Sequence, residues 1–175
     1  MIVDNTSELN RVSAPAARDP ALRKPKLFIS YSSRDARQHD ELTVRLKPLR
    51  SEGLVETWSD HCFVAGEAWD KTIRRELEEA DVIVLLWSAQ FEATDYIQEV
   101  EVQRAVEWAK EGEAVVVSII LEKCGWDRHA AADYQVLPRK GRPVRDRKPI
   151  RDAWYKVQEG LRNVLEKMRA KSESP

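Results

Sequence analysis

The chain has 175 residues, enough for one domain with a sizeable core, and its 34% charged and 42% hydrophobic content is ordinary for a globular protein. A formal net charge of −1 supplies no global field to draw in nucleic acid or anionic lipid. No apolar run approaches the roughly 20 residues needed to span a bilayer, and two cysteines, Cys62 and Cys124, make no disulfide framework and suit a reducing cytoplasm.

Residues 1–25 lack periodicity, are punctuated by Pro15, Pro20 and Pro25, and read as a flexible N-terminal leader or linker without the layout of a secretory signal. Lys26 to Tyr31 is a short apolar run, read as a strand that ends in the turn-forming cluster Ser32-Ser33-Arg34-Asp35. From Asp35 to Glu52, Leu42, Leu46 and Leu49 recur at helical spacing; Gly53 is a natural stop, and Pro48 predicts a kink or an earlier end. Leu54 to Trp58 reads as a second strand, followed by an irregular loop through Gly66. That loop feeds a helix carrying Trp69, Ile73, Leu77 and Ala80 on one stripe.

Val82 to Trp87 is continuously apolar, as a parallel strand covered on both faces would be. Ser88 to Asp95 reads as a loop, with a helix after it to about Lys110. Ala114 to Leu121 is the fourth strand. Residues 122–150 are irregular, and a short strand is expected at Pro143-Val144. In the last helix Trp154, Val157, Leu161, Val164, Leu165 and Met168 form one stripe. The ordered domain is expected over 26–170, with a disordered tail at 171–175.

Strands alternating with helices imply a parallel sheet with right-handed crossovers and helices on both faces. Ligands of such sheets bind outside the carboxyl ends of the strands. The segments 31–35, 58–68 and 88–98 all follow strands, so chemistry is sought there.

The residues at those ends allow more than one use. Ser32, Ser33 and Arg34 offer hydroxyls, backbone N–H groups and a cation to a pyrophosphate, yet capping of the first helix accounts for the serines equally well. Trp58 and Trp69 are candidates for stacking on a flat ring or for the core. Asp60 either holds its loop through hydrogen bonds or sits in a turn. His39, His61 and His129 have no metal-ligand spacing with the cysteines, so no metal is expected. Neither a Walker loop nor a G-x-S-x-G elbow is present. The basic stretch Arg139, Lys140, Arg142, Arg145, Arg147 and Lys148 either meets a phosphate or an acidic partner, or is a solvated loop.

These elements together resemble a known family. Phe28-Ile29-Ser30-Tyr31-Ser32 is similar to the opening strand of TIR domains. Trp58, Asp60, Gly66, Trp69 and Ile73 fit their W-x-D, five variable positions, G-x-x-W-x-x-x-I pattern. Asp81 to Ser88 with Phe91 and Thr94-Asp95-Tyr96, then Val117 to Leu121, Trp126, Leu137-Pro138 and the Trp154 helix, extend the resemblance over about residues 26–168.

The resemblance implies a flavodoxin-like α/β three-layer sandwich, with a central five-stranded parallel sheet and helices on both faces. Many bacterial members cleave NAD+, using a glutamate early in the helix after the third strand, often within Tyr-Cys-x-x-x-Glu or Trp-x-x-x-Glu. Here the stretch reads Tyr96-Ile97-Gln98-Glu99-Val100-Glu101, and counting from Ile97 places that glutamate at Glu101. Ile97 departs from the usual Cys or Trp.

The resemblance therefore marks Glu101 as catalytic. It marks Tyr31, Ser32, Ser33, Arg34, Trp58, Asp60, Trp69, Ser88, Tyr96 and Ile97 as substrate-binding candidates. From spacing alone, Glu101 shares a helix face with Ala105 and Trp108, although a solvated first-turn glutamate is the plainer reading. The implied activity is a cytoplasmic NAD+ glycohydrolase giving nicotinamide and ADP-ribose or a cyclic product, with NAD+ as substrate and no cofactor. Its expected setting is bacterial defence against phage. Homo-oligomers formed through the 58–68 loop would activate it, with a sensor protein or fused sensor domain as a further partner. The alternative is a non-catalytic TIR scaffold that only binds other TIR domains.

Overall fold

In the computed structural model, which describes residues 23–63, 71–94 and 101–172, strand β1 (Lys26–Ser32) lies inside a parallel sheet flanked by β2 (Thr57–Phe63) and β3 (Val82–Trp87). Strands β4 (Val115–Ile120) and β5 (Gln135–Leu137) complete five strands in the order β2-β1-β3-β4-β5. Every pairing is parallel. The order reverses at β1 and β3, as a flavodoxin-like sheet requires.

Alternation along β1 divides the core in two. Leu27, Ile29 and Tyr31 join a cluster with helices α1 (Ala36–Ser51) and α5 (Ile150–Ser172). Phe28 joins the cluster on the other face, under α2 (Lys71–Glu79), α3 (Ala89–Glu92) and α4 (Gln103–Glu111). This is the expected three-layer sandwich. β3 is buried at all six positions, because its neighbours cover both faces.

Several boundaries differ from the sequence reading. β2 runs from Thr57 to Phe63 rather than from Leu54 to Trp58, so Asp60 lies within a strand rather than in a loop; pairing of seven residues with Lys26 to Ser32 outweighs the polar, turn-like sequence. α1 passes through Pro48 and ends at Ser51, one turn later than the proline suggested. Buried Leu46 and Leu49 hold that turn to the core, and Gly53 at φ 75° stops it in the left-handed conformation.

The expected loop after β3 contains the one-turn helix α3, started by the Ser88 side chain, which accepts from the Phe91 N–H. The fifth strand is Gln135–Leu137 and not Pro143-Val144; the latter stretch instead follows the end of β4, with Val144 N–H donating to the Ile120 carbonyl. α5 extends to Ser172, past the expected domain end. At the other end Arg23, placed in the leader by sequence, makes a two-pronged bond to Asp81 at 2.9 Å.

α5 approaches β5 closely. A Cβ at Gly160 would run into the Leu137 side chain, so any other residue there requires that side chain or the helix to shift.

Candidate functional site

Ser30 is the polar interruption in an otherwise apolar strand segment, and it follows Phe28 onto the α2–α4 face. Beneath α4, Glu101 meets it: the Ser30 hydroxyl donates to Glu101 Oε2. Glu101 and Val102 have π-helical backbone immediately before α4. Such backbone widens the helix by one residue and recurs at functional sites. Val102, Ala105 and Val106 anchor this end of the helix in the core, as the apolar face read from sequence requires.

Glu101 is only 1% exposed. Loss of water disfavours its charged form, and burial pushes its carboxyl up to about 7 against the opposing effect of the Ser30 hydrogen bond. A carboxyl in that range exchanges its proton near neutrality, the property a functional acid or base needs. Among the described residues the other buried polar side chain on this face inside the sheet, Ser118, accepts from the Trp87 indole at 3.0 Å. Among the described residues Glu101 therefore stands out as the fully buried ionisable group of this layer.

A second polar cluster ties the strand ends together. Asp35, just past β1, accepts from Ser88, just past β3, and from Arg145 Nη2 at 3.0 Å. Arg145 also donates to Glu122, just past β4, while Glu122 accepts from the Ala89 N–H at 2.9 Å. Asp35 is 2% exposed. Burial raises its pKa; Ser88 and Arg145 pull it back, and Glu122 adds to the rise. The arrangement crosslinks three strand ends by charge-assisted bonds, which makes it a fixed frame beside the carboxyl edge.

The structure sorts the predicted site residues. Tyr31 points to the α1–α5 face, stacked on His39 at 4.2 Å between ring centroids, and so lies across the sheet from Glu101. Trp58 pairs with Leu27 near the amino end of β1 and packs on the same far core, with Arg50 5.9 Å over its ring. Strand pairing thus takes Trp58 away from the carboxyl edge, where the sequence reading had put it. Ser88 is fully buried with its hydroxyl engaged by Asp35 and Phe91, a structural use.

Ser32 is buried at the end of β1 and makes no capping bond; Ser33 and Arg34 follow it, exposed, in a 3-10 turn (Ser33–Asp35). Asp60 pairs through its backbone with Ile29. Its side chain, like Trp69, Tyr96 and Ile97, lies outside the described residues.

Ser30, Asp35, Glu122 and Arg145 were not among the sequence candidates for the site. Only Ser30 carried a signal, as a lone hydroxyl between apolar neighbours on a doubly covered strand. Nothing in the basic stretch distinguished Arg145, which is paired, from its neighbours. Among the described residues no group of three or more His, Cys, Asp or Glu side chains could hold a metal ion, and no helix is long and apolar enough to cross a membrane.

The family model described as TIR domain matches residues 27–150. The uncharacterized protein y4lF of Sinorhizobium fredii is 34% identical over 151 residues, covering 86% of this chain and 47% of the relative. The chain thus spans about half the length of that relative. Among solved structures, the TIR domains of the activated Roq1 resistosome directly recognizing the pathogen effector XopQ align with a TM-score of 0.46 at 16% identity, over 78% of this chain and 83% of that one.

Proposed function

This chain belongs to the TIR domain family, and from that premise we propose that it is an NAD+ glycohydrolase with Glu101 as its catalytic carboxylate. One observation carries the reading. The glutamate at the family register is buried, bonded by Ser30, and poised to ionise at about 7.

The chemistry asks little more of the protein. Cleavage of the bond between nicotinamide and ribose expels a neutral leaving group, so no general acid is required. Positive charge develops on the ribose, and a carboxylate in a water-poor layer stabilises it strongly. Water then adds to the ribose carbon and loses a proton, giving ADP-ribose; attack by a nucleophile of the adenine portion instead gives a cyclic product. Arg34, exposed at the end of the strand that carries Ser30, is the cation available to the pyrophosphate.

At 1% exposure Glu101 is sequestered from a dinucleotide, so turnover requires its cover to move. Self-association of TIR domains is the event assigned to that step, and it makes the enzyme an effector that a sensor switches on by clustering. Defence of a bacterial cell against phage is the setting this design suits.

The same burial supports a second reading. A carboxyl fully enclosed and bonded to a neighbouring hydroxyl also serves as a structural element of a non-catalytic scaffold. Nicotinamide release from NAD+ by concentrated protein separates the two. The enzymatic reading expects release that rises steeply with protein concentration and disappears in a folded Glu101→Ala variant. No release even under forced clustering defeats it in favour of the scaffold.

A further inference from the structure

Across the sheet from Glu101, the 139–147 loop and α5 enclose a cleft of about 460 Å³, within the range of small-molecule sites. Leu137, Pro138, Gly160 and Val164 contribute its apolar lining. Arg139, Lys140, Arg147, Lys156 and Lys167 line it with five cations, against one carboxylate, Glu159, which is already engaged by Arg162 at 3.3 Å. A chain of net charge −1 therefore concentrates four net positive charges around one small cavity.

Among the described residues none of these five cations makes an ion pair, whereas Arg145 in the same loop is fully occupied by Asp35 and Glu122. Arg147 adds a sharper signal, because its Nε is buried without a hydrogen-bond partner. A buried donor left unmade costs free energy, and natural structures rarely leave one without a reason. Lys140 is held at φ 69°, the left-handed region that a lysine seldom adopts. Strain of that kind is kept where a side chain's position matters.

We propose that this cleft is a binding site for a compact oligophosphate, of the kind carried by inorganic pyrophosphate or by the diphosphate of a nucleotide. Two arginines supply the planar fork that matches phosphate oxygens, and three lysines supply point charges around it. The density of charge selects this class. An extended acidic peptide spreads its carboxylates at about 3.3 Å per residue, whereas an oligophosphate brings several negative charges into one small volume. The inference stands apart from the NAD+ reading, since the two sites lie on opposite faces of the sheet.

Titration calorimetry on the full chain, with inorganic pyrophosphate, tripolyphosphate and ADP at matched ionic strength, tests it. Pyrophosphate and tripolyphosphate are expected to bind. Arg147→Gln with Lys156→Gln should weaken that binding by about tenfold or more, given the strength of hydrogen bonds to charged groups, while Glu101→Gln leaves it unchanged. Circular dichroism of the double variant should match that of the unaltered protein. ADP binding comparably to pyrophosphate points to a nucleotide as the natural source, and weaker ADP binding to a free oligophosphate. Sulfate binding as well as pyrophosphate, or a double variant that folds and binds undiminished, overturns the proposal. Tighter binding of a poly-glutamate peptide or a single-stranded oligonucleotide also overturns it, in favour of a macromolecular partner.

Discussion

The two faces of the sheet are built on different principles. Under α1 and α5 the core is apolar from Leu27 and Ile29 to Trp154, Val157, Leu161 and Leu165, with one buried imidazole, His39, stacked on Tyr31 at its edge. Under α2 to α4, large residues such as Phe28, Leu85 and Trp87 surround buried polar groups, Ser30, Ser118 and the carboxyl of Glu101. The first face maximises burial. The second gives up some of that stability to keep the Glu101 carboxyl out of water, and the proposed activity rests on that exchange.

The largest effect that tests this contrast is on the apolar face. Leu161→Ala, removing a side chain 1% exposed in the α1–α5 core, should cost about 2–5 kcal/mol, at every pH in urea unfolding. A cost below about 1 kcal/mol would mean that this face relaxes freely and is not the closely packed layer described.

The polar face should respond to pH instead. Glu101 has a folded pKa of about 7 against 4.5 unfolded, so below 4.5 both states hold the proton and nothing is lost. Between 4.5 and 7 the unfolded chain releases the proton first, so stability falls as pH rises, and it levels off above 7. The loss is about 3 kcal/mol, and Glu101→Gln should abolish that slope in urea titrations from pH 4 to 8. An identical slope in the variant would show that Glu101 ionises freely in the folded state.

A smaller effect probes how closely the apolar face is packed. Gly160→Ala adds a methyl that runs into the side chain of Leu137, itself 2% exposed. Alanine's better helix propensity offsets part of the clash, leaving a net loss of about 1–2 kcal/mol in thermal unfolding. Stabilisation by this change would show that α5 is free to lift from β5.

How far sequence reveals these features depends on how local their causes are. Val82–Trp87 and the Trp154–Met168 stripe are legible, because burial on both strand faces or on one helix face writes itself as an apolar pattern. β5 is not, since three residues of mixed exposure have no period to read. The full length of β2 is hidden because Ser59, Asp60 and His61 look like a turn, and only pairing with β1 makes them a strand.

The site follows the same rule. Glu101 is reached by register within a short stretch, but its partner Ser30 is 71 residues away and nothing local couples them. Asp35, Ser88, Glu122 and Arg145 are likewise brought together only when three strand ends meet. Trp58 went astray for the opposite reason: the polar residues after it suggest that the strand ends there, whereas the register with β1 makes it the second residue of β2, at the far end of the sheet.

The most direct measurement is the pH profile of kcat/KM for nicotinamide release by the clustered protein, read beside Glu101→Gln. With a carboxylate as the catalytic form, the rate should rise tenfold per unit below the pKa of Glu101 and level off above it, while the glutamine variant shows no turnover. About 7, set by the buried state, is the upper bound of that pKa. A rate that falls as pH rises toward 7, or turnover retained in the variant, would contradict the assignment of the chemistry to Glu101.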